Sequence, residues 1–165
     1  MQPQNCDQLD LRAESGQLAV GTTSVLPLPQ KPGVLVVDDE HLVRVMLQLS
    51  LERSGFDVWL ACNGREAIHL YRTHRDHVSV VLLDVRMPGL DGPATLDALR
   101  DLNPDVRVCF MSGDTGAYEP EALRKRGAAH VIAKPFRLEE LAKALLRLVR
   151  GEPIDALPSG NARQG

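Results

Sequence analysis

Between residues 33 and 150, short apolar runs alternate with stretches of helical periodicity, five of each. The runs Val34-Leu35-Val36-Val37, Val58-Trp59-Leu60, Val78 to Leu83, Val106 to Met111 and Ala128 to Ala133 are too short for buried helices and are predicted as strands. After the first run, Leu42, Val45, Met46 and Leu49 fall at i, i+3, i+4 and i+7, predicting a helix with that face inward, ended by Gly55. Asn63 followed by Glu66 has the form of a capping box, opening a helix with Ala67, Leu70 and Tyr71 on one side. Pro93 suits a first helical position, with Leu96 and Leu99 behind it and Asn103-Pro104 as the break. Pro120 opens a short helix ended by Gly127, and Leu138, Leu141, Ala142, Leu145, Leu148 and Val149 line a last one. Strands apolar on both faces, separated by amphipathic helices, imply an α/β fold: a (βα)5 doubly wound parallel sheet.

Composition locates this unit within the chain of 165 residues. All six aromatic residues and all five histidines lie in 33–150, whereas the flanks hold six of the eleven prolines. A flexible N-terminal extension (1–32), one folded domain (33–150) and a flexible C-terminal tail (151–165) are expected. In the extension, Leu18-Ala19-Val20 and Val25-Leu26 could dock on a partner, although a plain flexible leader is the simpler reading. Only fifteen residues follow Arg150, too few for a DNA-binding or enzymatic output domain. The net charge is −3, with −1 in each of the three segments, which argues against a free-standing nucleic-acid binder. No run approaches the ~20 apolar residues of a membrane span, and the first eleven residues carry no Lys or Arg, unlike a secretory signal. Three unclustered cysteines favour a reducing, cytoplasmic setting, with Cys62 and Cys109 packing as small hydrophobes.

The polar residues that end the predicted strands carry the chemistry. Asp38-Asp39-Glu40 follow the first, Asp84 the third, Ser112 the fourth and Lys134 the fifth. In an open parallel sheet these positions share the carboxyl edge, where ligands bind. Carboxylates held together repel unless a cation joins them. Mg²⁺ suits a site with few carboxylates and several waters. Lys134 adds a charge that can pair with an incoming anion, and Ser112 adds a hydroxyl donor. Such a set can cradle a phosphoryl group, with Asp84 as the nucleophile that forms an acyl phosphate.

The stretches Val34-Leu35-Val36-Val37-Asp38-Asp39, Leu82-Leu83-Asp84-Val85-Arg86-Met87-Pro88-Gly89, Met111-Ser112-Gly113 and Lys134-Pro135-Phe136 resemble, in order and register, the receiver domain of two-component response regulators. The resemblance covers residues 33–150. It implies the flavodoxin-like strand order 2-1-3-4-5 and a phosphoprotein fed by a sensor histidine kinase or a histidine phosphotransfer protein. Asp84 would be the phosphoacceptor. Mg²⁺ would be held by Asp39, Asp84 and the backbone carbonyl of Arg86, with Asp38 on a metal-bound water. Lys134 would pair with the phosphoryl group across a cis bond to Pro135. Ser112 would report occupancy to the helix 4–strand 5–helix 5 face, where an unidentified protein target would bind. The family often has Tyr or Phe three residues before the lysine; here that residue is Val131. Arg86 and Asp114 stand where the family flanks the path of attacking water, and a salt bridge between them is expected.

Together with the short segment after Arg150, the resemblance leads to the expectation of a stand-alone response regulator: a phosphorylation-controlled interaction module acting through protein contact rather than nucleic acid or membrane. A phosphate shuttle or sink in a phosphorelay is the near alternative. A Mg²⁺-dependent phosphatase of the haloacid dehalogenase type wants a second acid two residues beyond the nucleophile, where Arg86 stands. Flavin binding would want a phosphate loop in place of Asp38-Asp39-Glu40. Asp38-Asp39 could instead merely cap the first helix. His69, His74 and His77 lack helical zinc spacing and read as a solvated helix end, and Arg124-Lys125-Arg126 as a solvent-facing run.

Overall fold

The computed structural model describes residues 30–113 and 118–154. Its elements are β1 (Gly33–Val37), α1 (His41–Arg53), β2 (Asp57–Ala61), α2 (Gly64–His74), β3 (Val78–Asp84), α3 (Gly92–Leu102), β4 (Val108–Ser112), α4 (Pro120–Lys125), β5 (His130–Ala133) and α5 (Leu138–Val149). The strands form one parallel sheet in the order β2-β1-β3-β4-β5. The expected (βα)5 architecture and strand order are both present. The fourth and fifth strands start two residues later than expected, at Val108 and His130.

Strand side chains alternate between the two faces and build two cores. Leu35, Val37, Val81, Leu83, Val108 and Phe110 meet Ala67 and Tyr71 of α2, Leu96 and Leu99 of α3, and Leu123 of α4. Val34, Val36, Val80, Leu82, Cys109 and Met111 meet Leu47 and Leu51 of α1, and Leu141, Ala142 and Leu145 of α5. Each Val, Leu, Phe or Met side chain among these contributes about 1.5–3 kcal/mol when fully buried. Because β1, β3 and β4 are covered on both sides, their sequences show no polar alternation. Among the described residues, no helix is long and apolar enough to cross a membrane.

The start of α2 nearly matches its expected capping box. Asn63 Oδ1 accepts from the Glu66 N–H at 2.9 Å, but the Glu66 carboxylate reaches one residue further back, to the Cys62 N–H at 2.7 Å. The first helix departs more. Leu42, Met46 and Leu49 are exposed by 75%, 56% and 53%, while Leu47 and Leu51 face the core. Both registers have helical spacing, so periodicity alone did not choose between them; packing of α1 beside α5 against β1 selects Leu47 and Leu51. Leu47→Ala is expected to cost about 2–5 kcal/mol and Leu42→Ala less than about 0.5 kcal/mol, read as shifts of the urea unfolding midpoint.

Candidate phosphoacceptor site

From β1 the chain winds through α1 to β2 on one side, and then returns to place β3 on the other side of β1. This reversal opens a crevice beyond the carboxyl ends of β1 and β3. Asp38 and Asp39 follow β1, Asp84 is the last residue of β3, Ser112 the last of β4, and Lys134 follows β5. The sheet thus brings Asp38, Asp84, Ser112 and Lys134 to one edge. The Lys134 ammonium donates to Asp84 Oδ1 at 2.7 Å and to Asp38 Oδ2 at 3.0 Å, spanning 50 and 96 residues of chain. The remaining carboxylate oxygens accept backbone N–H groups: Asp84 Oδ2 that of Arg86, and Asp38 Oδ1 that of Glu40, each at 2.9 Å. Among the described residues, no buried side-chain polar atom lacks a partner.

Asp38 is fully buried, and Asp84 and Ser112 are nearly so. Burial pushes the Asp84 carboxyl above its ordinary value, an effect that Lys134 opposes without cancelling. Burial also works against the Lys134 ammonium, but its bonds to Asp84 and Asp38 outweigh this and hold its pKa above the usual lysine value. Two buried carboxylates thus share one cation, leaving the pocket net negative. The arrangement places an ammonium beside a carboxylate, a geometry able to receive an anionic group.

The helix-cap reading of the aspartates does not hold. Glu40 is the N-cap of α1, without a side-chain cap bond, and Asp38 turns inward to Lys134. Asp39 is exposed at the rim, bordering an open hollow with Cys62, Asn63, Arg65, Pro88, Gly89 and Leu90. Among the described residues, no three His, Cys, Asp or Glu side chains converge into a metal-binding group, so Asp38, Asp39 and Asp84 form no three-carboxylate cage. The donor set still fits Mg²⁺, which binds through one or two carboxylates and keeps several waters. The Lys134–Pro135 peptide is cis, as expected. Ser112 Oγ donates to the Gly113 carbonyl at 3.1 Å. Arg86 is exposed, and its expected partner Asp114 lies outside the described residues, as do Cys6, Leu18-Ala19-Val20 and Val25-Leu26.

Two supporting residues escaped the sequence reading. Arg44 reaches back from α1, its Nη1 donating to the Asp38 carbonyl at 2.6 Å, which pins the acidic turn. At Gly92, a Cβ would lie 2.5 Å from the Asp84 carbonyl oxygen and 2.9 Å from Phe110 Cε1, so only glycine lets α3 start against the Asp84 strand end. The Asp91-Gly92-Pro93 turn hinted at a helix start, but no linear signal marks an arginine aimed backwards.

Other expectations need correction. Cys62 is exposed, whereas Cys109 is buried and its thiol is pushed up to about 12. The histidine cluster is not simply a solvated helix end, since His74 is half-buried and stacks on Trp59 with ring centroids 5.1 Å apart. The basic run is solvent-facing, as expected, and its Arg126 pairs with Asp97 at 3.6 Å. Val131 is half-buried and packs against the core on the α3–α4 side of the sheet.

A carboxyl whose pKa is raised on folding favours the native state while protonated, and that contribution is lost as pH rises through the folded value. Asp84→Asn is therefore expected to raise the urea midpoint at pH 7 in chelator-treated buffer. The gain should shrink towards zero as the pH falls below about 4.

The model of the response regulator receiver domain matches residues 34–146. The chain is 40% identical over 119 residues to the transcriptional regulatory protein PrrA of Mycobacterium tuberculosis, covering 70% of this chain and 50% of PrrA. It spans about half the length of the curated relatives it matches. Among solved structures, the receiver domain of the Francisella response regulator 1452 is 30% identical with a TM-score of 0.66, covering 73% of this chain and 98% of that one. A chain of the CheX-CheY-BeF3-Mg complex of Borrelia burgdorferi is 26% identical with a TM-score of 0.66, covering 71% and 88% of the two chains. With the sheet order and the matched span in agreement, the chain belongs to the response regulator receiver domain family.

Proposed function

We propose that Asp84 accepts a phosphoryl group from the phosphohistidine of a sensor kinase or of a histidine phosphotransfer protein. The observation that carries this reading is the Lys134 ammonium bridging Asp84 and Asp38 at the carboxyl edge of the sheet. Receiver domains are signalling modules of two-component systems rather than classical enzymes, and phosphoaspartate and Mg²⁺ are general features of the family. Asp39, Asp84 and the Arg86 carbonyl would hold the Mg²⁺, with Asp38 acting through a water. The ion would supply positive charge for the acidic pocket and the phosphoryl oxygens.

In the transfer, an oxygen of Asp84 attacks phosphorus, the bond to the donor's imidazole nitrogen breaks, and the imidazole leaves with that electron pair. Lys134 turns from pairing two carboxylates to pairing the new phosphoryl oxygens. Ser112, freed from Gly113, donates to one of them. The change then reaches the face built from α4, β5 and α5, where a protein target binds. The slight acidity of residues 33–150 favours protein contact over nucleic acid as the output of this domain. A shuttle or sink role would use the same site and pass the group onward. The phosphatase reading has less support, because the position two residues past Asp84 is Arg86.

A donor that reaches Asp84 must also cover the start of α1, where Leu42 and Met46 expose apolar surface beside the acidic turn. These side chains suit docking of a phosphohistidine-bearing protein.

Incubation with acetyl phosphate and Mg²⁺ should add the mass of one PO3 group to the wild type and none to Asp84→Asn. Modification of both alike, or of neither, would refute the assignment. Leu42→Asp should slow transfer from a phosphohistidine protein about tenfold while leaving acetyl phosphate labelling unchanged.

A further inference from the structure

The connection that carries Asp84 also carries Asp91, and Asp91 is bound on two sides. Its Oδ1 accepts the Ala94 N–H at 2.9 Å, capping α3, and its Oδ2 accepts the Tyr118 hydroxyl at 2.8 Å, just before α4. The Asp91 carbonyl takes the Thr95 hydroxyl at 2.7 Å. Gly92 N–H donates to the Val85 carbonyl at 3.0 Å, so this end of the connection is stitched back to the residue after Asp84. The Tyr118 ring packs against the core cluster that holds Met87, Leu96, Phe110 and Leu123. Val131 packs against the same cluster.

Helix α4 needs outside support. It has six residues, of which only Leu123 is buried, and so short a helix does not hold itself together. Its far end is tied to α3, with Arg100 Nη1 donating to the Arg126 carbonyl at 3.0 Å beside the Arg126–Asp97 pair. Its near end is tied by Tyr118. The phenol is held above its ordinary pKa chiefly by the bond to Asp91.

We propose that Tyr118 is a positioning residue whose hydroxyl, bound to Asp91, couples the phosphoacceptor connection to the placement of α4. This rests on Asp84 as the modified residue. In the unmodified protein the bond holds the start of α4 against the cap of α3. A phosphoryl group on Asp84 displaces the bond between the Arg86 N–H and Asp84 Oδ2, shifts the connection, and draws Asp91 away from the phenol. The outward face of α4 is then released to a partner.

Tyr118→Phe removes only the hydroxyl. Amide hydrogen exchange at Leu123, Arg126 and Gly127, all bonded within or after α4, reads the placement of that helix. Without a phosphodonor, the variant should exchange about tenfold faster than the wild type at these sites. With acetyl phosphate and Mg²⁺, the wild type should accelerate to nearly the variant's rate, and the variant should respond little. Equal rates in the unmodified proteins would overturn the proposal. So would equal acceleration of both by the phosphodonor, the result expected if Tyr118 merely filled space. A wild type that gains no PO3 mass would overturn the reading of Asp84 instead, and the comparison without phosphodonor would still decide whether the hydroxyl holds α4.

Discussion

One ammonium holds the carboxyl edge of this molecule together. Lys134 donates to Asp38 and Asp84 at once, and without it two buried carboxylates would face each other across a water-poor crevice. Removing the ammonium from such an arrangement leaves uncompensated buried charge, which costs more than the intact group contributes. The pairing therefore says less about stability than about readiness. The site is held in a strained balance of charge that an anion and a hard cation would relieve.

The two faces of the sheet serve this arrangement differently. On one face, α1 and α5 seal Val34, Val36, Val80 and Leu82, and Arg44 from α1 pins the Asp38 carbonyl. On the other, α2, α3 and α4 cover Leu35, Val37, Val81 and Leu83, with α3 beginning against Asp84 itself because Gly92 has no side chain. The first face is built of long helices and extensive packing. The second ends in a six-residue helix fastened by one polar bond before its start and by two at its far end.

The linear pattern was most informative where one physical cause dominated. Strands buried on both faces must be apolar throughout, so β1, β3 and β4 could be read directly. Helix α5 has a single apolar stripe, and Leu141, Ala142 and Leu145 pack as read. Helix α1 carries two apolar registers, of which Leu42-Val45-Met46-Leu49 is exposed in large part and Leu47-Leu51 is not. Periodicity states that a helix is amphipathic, but it does not say which of two apolar faces meets the sheet. Cys62 was misread for a related reason: it directly follows the last residue of an edge strand, where an apolar neighbour does not guarantee cover.

The order of short apolar runs and amphipathic segments determined by itself that the chain forms a parallel α/β sheet. The residues ending those runs determined which polar groups could meet, because strands aligned in parallel deliver their carboxyl ends to one edge. Only the tertiary structure decided how they meet: Lys134 between two carboxylates, Asp39 outward, Arg44 and Gly92 as supports, and Tyr118 on Asp91. Those relations join side chains up to 96 residues apart in sequence. Distances of that kind are set by the packing of whole elements, which no local run of residues encodes.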